Sequence, residues 1–210
     1  MKDHFDIHCI KRILAIAFPI MLSNLISQLQ MLIDRVFIGR LSLESMSAVG
    51  NASTPMWTTM SVMFSLTTGA TILVSQAYGA GENERARAVL AALFKYNNVM
   101  GIVLFLFWFL CPQVVFRLMG VDESIISMSI DYAKYFAPIF ILTGIGASVS
   151  CLLEVSQKTQ IMIWYGVSRS LTNIVLDYVM IFGHFGFPAM GVKGAALATT
   201  IAELLGDRKS

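Results

Sequence analysis

The stretch IMIWYGVSRSLTNIVLDYVMIFG, residues 161–183, is long and apolar enough to cross a bilayer, yet it carries Arg169, Asn173 and Asp177. Roughly 20 mostly apolar residues make a helical span. Tyr165, Arg169, Asn173 and Asp177 step by four along it, so on a helix they stack along one side. A charged side chain at membrane depth is costly. Where one persists it faces a bundle interior or an aqueous cavity and marks a functional site. The stretch therefore reads as a transmembrane helix with one polar face.

Working outward, the whole chain has this character. It is 56% hydrophobic and 13% charged, with a mean hydropathy of +0.70, where soluble domains carry about 25% charged residues. Six spans are expected, at about 13–37, 55–78, 89–115, 128–153, 161–183 and 190–206. The breaks carry turn chemistry, as in Gly79-Ala80-Gly81-Glu82-Asn83-Glu84 and Gly183-His184-Phe185-Gly186-Phe187-Pro188. The fold class is an all-α integral membrane protein, a six-helix bundle over residues 1–206 followed by a polar tail, 207–210. The apolar run from Ile13 to about Phe37 is too long for the core of a signal peptide, so no cleavage is expected.

With the N-terminus in the cytoplasm, nine Lys and Arg residues fall on the inner side and five on the outer, with Arg169 inside a span. That bias places both termini inside, in the plasma membrane. The net charge of +2 gives no reason to expect a nucleic-acid partner. Cys9, Cys111 and Cys151 are isolated, and no hydrolase, metalloprotease or phosphate-loop motif occurs, so no enzyme and no cofactor is expected. The 13 methionines read as ordinary packing.

The first span repeats the polar pattern, with Ser23, Ser27, Gln30 and Asp34 at helical spacing. In the stated orientation Asp34 and Asp177 both fall in the outer half of the membrane, Asp177 roughly 9 Å below the boundary. Two carboxylates at shared depth on two polar faces suggest a site for protons or cations. For Asp34 the alternative is an interfacial pair with Arg35 or Arg40. Arg169 either snorkels to the inner interface or balances the acidic face. Ser61, Ser65, Thr68 and Ser75 make a hydroxyl stripe on the second span, suited to helix packing. Gly191, Gly194, Ala195, Ala196 and Ala198 offer a small-residue packing surface, followed by the hydroxyls of Thr199 and Thr200. Pro19 is expected to bend the first span.

Three groups of residues resemble the multidrug and toxic compound extrusion (MATE) family. They are Asp34-Arg35-Val36-Phe37-Ile38-Gly39-Arg40-Leu41 with Met46 to Gly50; Val74-Ser75-Gln76-Ala77-Tyr78-Gly79-Ala80-Gly81; and Asn173 to Asp177 with Ile181-Phe182-Gly183 and Pro188 to Thr199. The resemblance implies an antiporter with two six-helix lobes, in which proton or sodium entry drives export of amphipathic, often cationic compounds. This chain resembles the N-terminal lobe alone. The resemblance puts the cation site on Asp34, Asn173 and Asp177, with Tyr132 and Thr199, and a hinge at Pro19. Ser27, Gln30 and Arg169 would line the substrate pathway. No cofactor beyond the coupling ion, H+ or Na+, is implied. The expected partners are small amphipathic substrates, the lipid bilayer, and a missing C-terminal lobe or a second copy. The sequence ends as its sixth helix emerges, so a truncated half is expected. Two other readings stand beside this one: a lipid-linked saccharide flippase of the wider superfamily, and a non-transporting half-length membrane protein.

Overall fold

The computed structural model describes residues 7–156 and 159–207. The polar tail beyond Asp207 therefore lies outside the described residues. Eight helices follow one another: α1 (Ile7–Gly39), α2 (Leu43–Gly79), α3 (Asn83–Leu110), α4 (Pro112–Leu118), α5 (Glu123–Phe136), α6 (Ile139–Val155), α7 (Thr159–Phe182) and α8 (Val192–Asp207). No strand occurs among the described residues. Six rods result, because α5 and α6 run on from each other across a 41° bend and α4 is a short link. Among the described residues α2 and α3 are long and apolar enough to cross a membrane, as is the bent α5–α6 pair.

Three of the differences between the helix boundaries and the expected spans have a local cause. The span expected over 128–153 is two helices, because Pro138 has no N–H to give and the chain turns at Ala137 and Pro138. The span expected over 89–115 stops at Leu110, and Pro112 opens α4 at its first position. The span expected over 55–78 belongs to a helix that starts twelve residues earlier, at Leu43. Ser42 caps it by accepting a hydrogen bond from the Ser45 N–H at 3.0 Å.

The main core lies between α2, α3, α5 and α6. Met56, Met60 and Met63 recur on one face of α2 and are fully or almost fully buried against Trp108, Phe136 and Phe140. The Trp108 indole N–H donates to Thr59 Oγ1 at 3.0 Å, so its polar end is satisfied. Elsewhere α3 and α6 cross with almost no space between their backbones. A Cβ on Gly101 would stand 2.6 Å from the Phe140 carbonyl oxygen, and one on Gly144 would stand 2.6 Å from that of Asn97.

The small-residue surface of α8 packs as expected. Ala195, Ala196 and Ala198 are buried, and a Cβ on Gly194 would meet the Met180 carbonyl oxygen of α7 at 2.6 Å. The turn that joins them is pinned by Met190 N–H to Met180 O at 2.9 Å and Gly191 N–H to Ile181 O at 3.2 Å. Gly183 begins that turn at φ +76°, in the left-handed region open to glycine. α1 lies along α7 and presents Leu25, Leu29, Leu32 and Val36 outward. Such an apolar outer surface suits lipid contact. Pro19 lies within α1, and its side chain falls outside the described residues.

Candidate functional site

The two polar faces meet where α1 and α7 lie side by side. Asn173 and Asp177 are fully buried on α7, and Gln30 is buried on α1. The carboxyl groups of Asp34 and Asp177 stand beside each other, an oxygen of each lying 3.2 Å from the same end of the Asn173 amide. Two carboxylates this close cannot both stay charged unless a proton or a cation lies between them.

The Asn173 amide is wedged into the pair. One end of it lies 3.2 Å from Asp34 Oδ1, 3.2 Å from Asp177 Oδ2 and 2.6 Å from Gln30 Nε2. With its oxygen at that end, the amide accepts from Gln30 and completes a cluster of three oxygens. With its nitrogen there, it donates to both carboxylates. Ser170 donates to Gln30 Oε1 at 2.8 Å, and a hydroxyl can also accept, so Gln30 is able to turn together with Asn173. The other end of the Asn173 amide lies 3.4 Å from Thr199 Oγ1 on α8. Tyr132, buried on α5, faces the same two carboxylates. Asp177 Oδ1 is buried and has no hydrogen-bond partner among the described residues.

All five residues expected at the cation site are thus brought together. Gln30, expected along the pathway, lines the adjoining cavity and is also a direct partner of Asn173. Asp34 forms no ion pair with Arg35 or Arg40 among the described residues, so its interfacial reading has no support in the geometry.

Arg169 lines the cavity of Asp34 as well, but its ion-pair partner is Glu203 rather than an aspartate of the site. Its Nη1 donates to Glu203 Oε2 on α8 at 2.7 Å, and its Nη2 donates to Ser27 Oγ on α1 at 3.2 Å. Tyr165 also donates to Glu203, at 3.2 Å. Sequence reasoning missed Glu203 as that partner, and it missed Ser170. A signal for Glu203 existed: Arg169 in mid-span needs a counter-charge, and Glu203 is the carboxylate late in the last span. Nothing distinguished Ser170 from the other hydroxyls.

The hydroxyl stripe of α2 does not pack helices together. Ser61, Ser65 and Thr68 are exposed and donate to carbonyls of their own helix, those of Thr58, Ser61 and Phe64. A Ser or Thr on an exposed helix face satisfies its hydroxyl this way.

Two neighbouring cavities lie among the described residues. One, of about 450 Å³, is lined by Asp34, Gln30, Tyr132 and Thr199. The other, of about 570 Å³, is lined by Glu154, Tyr165 and Glu203. Trp57, Ile139 and Arg169 line both and stand between them.

The MatE family model matches residues 19–179. A relative described as "Probable multidrug resistance protein NorM", from Thermotoga maritima, is 32% identical over 93% of this chain and 42% of its own length. The "Multidrug resistance protein PmpM" of Pseudomonas aeruginosa is 30% identical over 90% of this chain and 40% of its own length. A solved structure described as the outward-facing conformation of a multidrug resistance MATE family transporter superposes with a TM-score of 0.85. Its identity is 22%, over 94% of this chain and 43% of that one. The chain thus spans about two fifths of the length of the curated relatives it matches.

Proposed function

Because this chain belongs to the multidrug and toxic compound extrusion family, we propose that it is the N-terminal lobe of a plasma-membrane antiporter that exports amphipathic organic compounds against a proton or sodium gradient. The observation that carries this reading is the convergence of Asp34, Asn173 and Asp177 on one point. A proton or a sodium ion neutralises the carboxylate pair. Asn173 turns its amide oxygen toward a bound cation, or its nitrogen toward the empty carboxylates. Thr199 and Tyr132 complete the wall. The loaded and empty pairs differ in charge, so the ion shifts the balance between outward-open and inward-open arrangements in proportion to its preference for one of them. Pro19 is the place where α1 yields.

The lobe does not transport alone. A substrate pathway needs walls on both sides, and paired repeats work by moving against each other. The second wall is a C-terminal lobe or a second copy of this chain. The flippase reading is weaker, because Arg169, the cation that a lipid phosphate would meet, already pairs with Glu203.

The test is ethidium efflux from proteoliposomes holding this chain joined to the C-terminal lobe of the Thermotoga maritima relative. Each ion gradient is collapsed in turn. Efflux that stops with one gradient identifies the coupling ion. Efflux indifferent to both gradients refutes the antiporter reading.

A further inference from the structure

The Arg169–Glu203 ion pair lies inside the bundle. Both side chains are mostly buried, 24% and 12% exposed, and the pair joins α7 to α8. Yet the guanidinium is not fully engaged. Its Nε is buried and has no hydrogen-bond partner among the described residues. Arg169 also lies one helical turn from Asn173 and two from Asp177, about 6 Å and 12 Å along α7. It lines the Asp34 cavity as well as the Glu203 cavity. The groups that face it are Asp34 from α1, Tyr132 from α5, Glu154 from α6, Tyr165 from α7, and Glu203 from α8.

The Glu203 cavity has the chemistry of a receptor for an aromatic cation. Trp57, Phe64 and Tyr165 supply ring faces, on which a cation is held by the ring quadrupole. Glu154 adds a carboxylate with no ion pair among the described residues.

We propose that the cavity at the Glu203 end binds an organic cation by taking Glu203 from Arg169, and that the released guanidinium then pairs with Asp34, which lines the other cavity together with Arg169, and displaces the coupling ion held by the aspartate pair. The inference rests on the antiporter reading and supplies its exchange step. The charges balance. One positive charge arrives at Glu203, the positive charge of Arg169 moves from one carboxylate site to the other, and one positive charge leaves the aspartate pair. The lobe keeps its net charge, so exchange adds no unpaired charge inside the membrane, where such a charge is costly. Arg169 suits this task because its planar fork can engage either carboxylate site with several donors.

The test is a cycle of variants read by ethidium binding to the purified chain, using the dye's own fluorescence. Asp34→Asn/Asp177→Asn imitates the loaded pair and leaves Arg169 no second partner. Ethidium should then bind about tenfold more weakly, a change of about 1.4 kcal/mol. Arg169→Gln removes the competitor, so ethidium should bind about tenfold more tightly, and the two aspartate substitutions should no longer matter. Glu203→Gln should lose binding by at least about tenfold. Arg169→Lys keeps a positive charge that can pair with either carboxylate site, so the aspartate dependence should persist there, which keeps the cycle readable if Arg169→Gln does not fold.

Aspartate dependence that persists in Arg169→Gln or is lost in Arg169→Lys, or unchanged binding in Glu203→Gln, overturns the exchange. The cycle reads binding alone, so it is separable from the efflux assay. Coupling without gradient-driven efflux refutes the antiporter. Gradient-driven efflux without coupling refutes the exchange.

Discussion

Substituting Gly101 with alanine tests how closely α3 and α6 must pack. The new Cβ would stand 2.6 Å from the Phe140 carbonyl oxygen and 3.3 Å from Ile141 Cα. A carbon approaches a carbonyl oxygen to about 3.3 Å, so α3 and α6 must part by roughly 0.7 Å at this point. The obstructing atoms are backbone, so no side-chain rotation relieves the clash. Overpacking costs about 1–3 kcal/mol, and replacing glycine by alanine within a helix returns up to about 1 kcal/mol. The net expectation is a loss of about 1–2 kcal/mol. Gly144→Ala makes the reciprocal contact, 2.6 Å from the Asn97 carbonyl oxygen. Once one substitution has parted the helices, the other meets less resistance, so the double variant should fall short of additivity by about 1 kcal/mol. Gly69 on α2 has nothing within 4 Å of its virtual Cβ, and Gly69→Ala should be neutral or slightly stabilising. Equilibrium unfolding in mixed micelles measures all four. Gly101→Ala as stable as Gly69→Ala, or strict additivity of the pair, refutes the close crossing.

Other expectations follow from the ends of the helices. Asp122 caps α5 by accepting from the Ser124 N–H at 2.8 Å, and this bond holds its carboxyl below the usual carboxylate range. A lowered folded value means that the cap's contribution is present above the unfolded value and fades as the pH falls through the folded one. The protection factor of the Ser124 amide should therefore be high at neutral pH and fall in acid, while that of Asp122→Ala is low throughout. Reporter fusions after Lys11, Glu84, Asp122 and Lys158 should map inside, inside, outside and inside. A fusion after Glu84 that reports outside sinks the orientation.

The helical bundle and the meeting of Asp34, Asn173 and Asp177 were legible in the sequence for a physical reason. Polar residues are so costly in a membrane that each of them is informative, and a spacing of four places Arg169, Asn173 and Asp177 on one face without any knowledge of packing. The same cost marked Asp34. What the sequence withheld was partner choice. Glu203 and Arg169 lie 34 residues apart, and only the α7–α8 crossing shows that they meet. Gln30 looked like one more polar residue along a pathway, and its role as partner to Asn173 depends on how α1 lies against α7. The hydroxyls of α2 misled, because a serine that bonds to its own helix and a serine that packs against another read alike. Pro138 was visible, but membrane helices accommodate proline so often that its presence did not settle whether the helix would break.

The central claim is that Asp34 and Asp177 together hold the coupling ion. Infrared difference spectroscopy of the purified chain tests it most directly, because a protonated carboxyl group has its own C=O stretch. The account predicts a carboxyl band that responds to added protons or sodium and is lost from both Asp34→Asn and Asp177→Asn. The same ion-induced band in both variants would contradict it.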